Sequence, residues 1–181
     1  SISEMRALQH MIYPQLNSEA LDNTRQQPKP NTEPHVAART APQTTSHLSQ
    51  DNAADIKHDL IALGAQSSAA KQEAENSIWE IKHAMEKKDL RALKTAIEKS
   101  NKRIQSLNQN YDAVSLKSSE VAAAREKLIK NNNLQIEMGN IILSSSPDRQ
   151  KFEELQKKRS NSQKMVEIEM EALWIKANTA S

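Results

Sequence analysis

A chain of 181 residues in which 36% are hydrophobic and 3% aromatic can bury a thin core but not the broad one of a compact α/β enzyme. Its 25 Lys and Arg stand against 23 Asp and Glu, so a net charge of +2 supplies no field to steer nucleic acid or anionic lipid, despite a pI near 8.8. The absence of Cys excludes a disulfide framework, thiolate zinc ligation and a cysteine nucleophile.

Residues 1–23 carry Ile2, Met5, Leu8, Ile12 and Leu16 at near-helical spacing, interrupted at Pro14, which predicts a short amphipathic segment. Residues 24–50 hold Pro28, Pro30, Pro34 and Pro42 among Gln, Thr, Ser and Asn. With few large apolar groups to offset the entropy of ordering, this stretch reads as a flexible linker, and the amino-terminal region as largely disordered. The opening Ser-Ile-Ser-Glu-Met-Arg lacks the basic start and apolar stretch of a secretory signal. No Asn-x-Ser/Thr sequon occurs, and no apolar run approaches the roughly 20 residues that span a bilayer.

From residue 51 the pattern is helical throughout. A first long helix over 52–88 places Ile56, Leu60, Leu63, Ala70, Ala74, Ile78, Ile81 and Met85 on its inner face, narrowed by Gly64 and an Ala/Ser-rich middle. Lys87 and Lys88 suit a helix C-terminus and Asp89 the N-cap of the next helix, so a tight turn falls at Lys88–Asp89. The clearest signal follows. Leu90, Leu93, Ile97, Ile104, Leu107, Tyr111 and Val114 form one series with 3-4 spacing, and Val121 and Leu128 continue it in phase. That phase predicts one helix over 89–143, about 80 Å long. A break near Ser115–Ser119, where serines can cap a new helix, is the alternative. Ser146, Pro147 and Asp148 then start a last helix over 147–178, with Ser146 as N-cap and Pro147 in the first turn. The expected fold is all-α, an elongated antiparallel coiled-coil bundle of three long helices, or alternatively four, over 51–181.

The named series is the candidate helix-packing interface. Trp79 and Trp174 each sit beside an isoleucine at a helix edge; they either close the seam or anchor a partner. Acid-first pairs four apart, such as Glu98–Lys102 and Glu153–Lys157, mark solvated faces. Lys99, Lys102 and Arg103 therefore read as helix surface rather than a phosphate-binding patch, since no stacking aromatics accompany them, and no nucleic-acid partner is expected.

Chemical motifs are sparse. Glu80-x-x-His83 has the spacing of a carboxylate and an imidazole in di-iron bundles, and Asp55-x-x-His58 repeats it, but the copies lie about 37 Å apart on one predicted helix. No Gly-x-Ser-x-Gly elbow is present, and two glycines cannot build a phosphate-cradling loop. No catalytic, cofactor-binding or metal residue is assigned, and no enzyme activity is expected.

The Cys-free composition, the Ser/Thr/Gln/Asn/Pro-rich first 50 residues without a cleaved signal and the Ala/Ser/Asn-rich helices resemble proteins exported by bacterial type III secretion systems. The resemblance covers mainly those 50 residues and implies a secreted virulence, translocon or effector component whose amino-terminal region meets an export chaperone. A cytoplasmic chaperone, scaffold or secretion-accessory protein is the alternative, and a bundle metalloenzyme a remote one. Protein partners through the helices, further copies of the chain among them, are expected, and the metalloenzyme would need Glu80 and His83 from two or more chains.

Overall fold

The computed structural model describes residues 2–25 and 47–179. Among them the chain forms five helices: α1 (Ile2–Arg25), α2 (Ala53–Glu86), α3 (Leu90–Ala113), α4 (Ser119–Leu143) and α5 (Arg149–Thr179). The protein is all-α. Among the described residues there are five helices rather than three or four: the stretch 89–143 is two helices, which gives four over 51–181, and the amino-terminal segment is itself a fifth. Most of the linker expected over 24–50 lies outside the described residues.

Helices α2 to α5 run up and down in turn, each packed on its neighbours in sequence, with α5 closing back on α2. Cross-helix bonds fix the antiparallel registers: Ser67 Oγ lies 2.6 Å from Tyr111 Oη between α2 and α3, and Lys127 meets Glu169 at 2.7 Å between α4 and α5. The short connections leave no other arrangement for sequential neighbours.

Each turn is written in local chemistry. Asn52 caps α2 by accepting from Asp55 N at 3.0 Å. At the far end Lys88 adopts φ 55, and the Asp89 N–H reaches back to Ala84 O at 3.0 Å, satisfying a terminal carbonyl of α2. Asp89 then caps α3 through Ala92 N, again at 3.0 Å.

The break between α3 and α4 overturns the continuous helix. Val114 is extended (φ −71, ψ 123), and Arg125 from α4 donates Nη1 to Tyr111 O at 3.2 Å and Val114 O at 2.7 Å, supplying carbonyls at the end of α3. Ser118 caps α4. The seven-residue phase survives because a tight hairpin returns Val121 to the same apolar cluster as Val114; the antiparallel pair satisfies the spacing as well as one rod would.

The interior has two apolar clusters. One holds Ile56, Leu60, Leu63, Tyr111, Leu116, Val121 and Leu173 near the α3–α4 turn. The other joins Ile81, Met85, Leu93, Ile97, Met138, Ile142 and Phe152 to the inner face of α1. Buried polar groups occupy the waist between them. There Asn131 Nδ2 donates to Gln163 Oε1 at 2.6 Å, and Asn101 Nδ2 donates to Asn140 Oδ1 at 3.0 Å. Gly139 makes room for the latter, since a Cβ there would lie 2.4 Å from Asn101 Oδ1.

Candidate interaction surface

The sequence-derived series lies inside the bundle. Leu93, Ile97, Ile104, Tyr111, Val114 and Val121 are buried, and Leu90, Leu107 and Leu128 are partly buried against the two clusters. The helices that cover them belong to the same chain. The seam is thus closed within one molecule and offers nothing to a partner while the bundle is intact. The two tryptophans part company: Trp174 packs on the second cluster, whereas Trp79 is 63% exposed and stacks on His83 with ring centroids 4.7 Å apart.

That stack removes His83 from its carboxylate. Glu80 instead meets Lys99 of α3 at 3.0 Å, so Glu80 and His83 engage different partners on the surface of α2. Among the described residues no group of three or more His, Cys, Asp or Glu side chains is placed to share a metal ion.

The densest polar constellation is centred on Asp59, a residue that periodicity did not single out because it falls on the inner face of α2. Its side chain is fully buried, and its two oxygens accept from Lys117 N (2.9 Å to each), Ser118 N (2.6 Å) and Ser118 Oγ (2.7 Å). His58 Nδ1 approaches at 3.1 Å from the half-exposed side. A carboxylate that accepts this many bonds from one turn clamps that turn. The signal available in the sequence was an acid embedded among Ile56, Leu60 and Leu63.

The same end is tied to residues before α2. Ser49 N donates to Lys117 O at 2.8 Å and Ser119 N to Ser49 O at 2.9 Å, forming an isolated parallel bridge. Asp51 N donates to Glu120 Oε2 at 2.9 Å, and Lys176 pairs with both Asp51 and Glu120. Burial works to raise the Glu120 carboxyl, but the Asp51 N–H, its own N–H, the Ser119 hydroxyl and the Lys176 charge outweigh it and hold the group below its ordinary value. The Asp51 carboxylate correspondingly raises Lys176. Deeper in, burial pushes the Tyr111 phenol up, against the opposing bond to Ser67.

At the opposite end, Met5, Leu8, Met11, Ile12 and Leu16 of α1 are buried against the first cluster. Polar contacts that orient the helix include Gln9 Nε2 to Met85 O at 3.0 Å, Gln15 Nε2 to Gln135 Oε1 at 3.0 Å, and Lys94 to Glu4 at 3.9 Å. A cavity of about 30 Å³, roughly the space of a water or two, remains where Ile12 and Leu16 face Ser100, Asn101 and Gly139. It is too small for an organic ligand.

What remains available to a partner is the outside of the bundle. Its large exposed apolar side chains include Trp79 on α2 and Met165, Ile168 and Ile175, all three on α5. No helix among the described residues is long and apolar enough to cross a membrane.

These features define an antiparallel four-helix bundle with an additional helix laid across one end. The chain belongs to the family described as uncharacterised lipoprotein PM1805, whose model matches residues 57–178, about two thirds of the chain and nearly all of α2 to α5. Comparison with curated proteins and with solved structures gives no match. Membership in a lipoprotein family overturns the assignment to a type III secretion system, and with it the translocon and effector roles and the cytoplasmic alternative. That assignment rested on the composition of the first 50 residues, which lie outside the matched region, and Ser/Thr/Pro-rich composition marks any segment with too few apolar groups to fold.

Proposed function

We propose that the chain is the water-exposed part of a lipid-anchored protein of the bacterial cell envelope, a non-catalytic helical module that acts through contacts made by its outer surface. The family match over α2–α5 carries this reading. With no Cys among the 181 residues, a cysteine-linked lipid would be attached outside them. The absence of a membrane-crossing helix among the described residues is compatible with lipid as the means of attachment. The non-catalytic part is supported by the use of the most heavily bonded carboxylate, Asp59, to clamp a turn. It is supported too by the separate engagement of Glu80 and His83.

The test is metabolic labelling of the natural gene product with palmitate, followed by fractionation. Label on the protein and recovery with membranes, released by detergent but not by salt, is the expected outcome. An unlabelled protein in the soluble cytoplasmic fraction would sink the anchoring reading.

A further inference from the structure

Helix α5 turns Phe152, Leu155, Val166, Leu173 and Ala177 toward the bundle and a second apolar row toward water. In that row Met165, Ile168 and Ile175 are 67%, 65% and 59% exposed, and Ala172 is exposed between them. The steps of three, four and three residues are those of the a and d positions of a helix pair, so the four side chains share one side of α5 over about 15 Å. Single exposed apolar residues are ordinary on a protein surface; a row in coiled-coil register on a helix whose other face is already satisfied asks for a second helix.

The charges beside the row select the occupant. Lys164 and Glu171 flank it on one side, Glu169 and Lys176 on the other. Two copies of α5 laid parallel and in register bring Lys164 of each copy to Glu169 of the other, and Glu171 of each to Lys176 of the other, all opposite in sign. An antiparallel pair that covers the same four residues brings Glu169 opposite Glu169 and Glu171 opposite Glu171. The existing ion pairs do not forbid the parallel arrangement, because Glu169–Lys127 and Lys176–Asp51 lie at the rim, where a further charge joins a network rather than replacing a buried bond. A lipid surface is not selected, since the two lysines and two glutamates that border the row cancel.

The geometry points to a parallel, two-fold pair of this chain joined through Met165, Ile168, Ala172 and Ile175 of α5. It rests on the contact-making part of the function proposed above, with a second copy as the partner. A parallel two-fold places equivalent ends of both copies on the same side, as two molecules held in one membrane require. The row is short beside a full coiled coil, so in solution the pair forms in a concentration-dependent manner, and confinement to a membrane favours it.

The lack of native Cys makes the test direct. In the full 181-residue chain, Ala172→Cys should form a disulfide-linked dimer under mild oxidation at about 100 µM, a range suited to small interfaces. Glu98→Cys, exposed on α3, should not. Adding Ile168→Glu to Ala172→Cys should cut the dimer yield about tenfold, equivalent to about 1.4 kcal/mol. Helix content and melting should stay unchanged, since Ile168 faces water. An Ala172→Cys yield no greater than that of Glu98→Cys overturns the pairing. Cross-linking seen only when Ala172→Cys is mixed with Ile168→Cys overturns the parallel register. Neither result touches the anchoring reading, which palmitate labelling decides separately.

Discussion

The two ends of the bundle are closed by different chemistry. At the α3–α4 turn the closure is polar: one buried carboxylate, Asp59, gathers two backbone amides and a hydroxyl, and Ser49 adds a backbone bridge. At the other end it is mainly apolar, with α1 laying five buried side chains on the cluster around Met85, Leu93 and Phe152. Directional bonds to a charge specify one turn conformation, because the amides of Lys117 and Ser118 reach Asp59 only in that turn. Apolar contact is tolerant, and any amphipathic helix of similar shape could cover the same cluster.

The sharpest way to break this comparison is Asp59→Ala. It leaves Lys117 N, Ser118 N and Ser118 Oγ without their acceptor, the last two in a buried site, and should cost about 3–5 kcal/mol. Urea denaturation of the full chain measures it, and a loss under about 1 kcal/mol would show that the carboxylate is not what closes this end.

The apolar end should respond differently to equally buried residues. Leu93, with 0% exposure, lies on α3 within the bundle, and Leu93→Ala should cost about 2–4 kcal/mol of global stability. Leu8, with 1% exposure, lies on α1, where the cost cannot exceed the free energy that docks the helix. Leu8→Asp should therefore undock α1 and leave α2–α5 folded. Hydrogen exchange is the measurement: protection should vanish from α1 and persist in Ile81, Leu93 and Ile142. Parallel loss in all five helices would make α1 part of one cooperative unit and erase the distinction between the ends.

How far the sequence revealed this follows from the same contrast. The apolar series from Leu90 to Val114 announced a helix with a covered face, because 3-4 spacing survives in any bundle. It did not announce the break at Val114–Ser118. A hairpin and a rod give the same phase there, and the decisive bonds come from Asp59, some 58 positions away in sequence. Local patterns record which face is buried, whereas a long-range carboxylate clamp leaves only an acid at an apolar position. The amphipathic spacing in residues 2–16 was visible too, but Pro14 argued for an interruption. In the structure Pro14 lies within α1 with its side chain exposed, and the helix runs on past the one i→i−4 bond that the proline removes. The outer row of α5 was present in the sequence as Met165, Ile168 and Ile175, yet only burial separates it from the inner row of Val166 and Leu173.

The waist between the ends should show an intermediate effect. Gly139→Ala puts a Cβ against Asn101 Oδ1 and forces that side chain from its bond to Asn140, at a cost of about 1–2 kcal/mol. In an Asn101→Ala background the clash is gone, so the same substitution should be nearly neutral or, by its helix propensity, slightly stabilising. A double-mutant cycle with no coupling would mean that the close approach of Asn101 is not what the glycine permits.

The smallest effect should come from the rim of the polar end, where Glu120 accepts from Asp51 N and meets Lys176 at 3.5 Å. The folded-state carboxyl sits below its ordinary value, so its contribution is present above the unfolded value, about 4.3, and is lost as pH falls through the folded one. Lys176 runs the other way. Its raised value makes its contribution complete below about 10.4 and lost as pH climbs past the folded one. Between those limits the pair is intact. Glu120→Gln should melt slightly below the unaltered chain at pH 7, and the gap should close as pH falls through the folded-state value, below which both proteins carry a neutral group at that position. Solvent screens this rim, so the gap should also narrow in high salt. A gap that widens on acidification would reverse the sign of the linkage and remove Glu120 from the set of groups that hold the polar end.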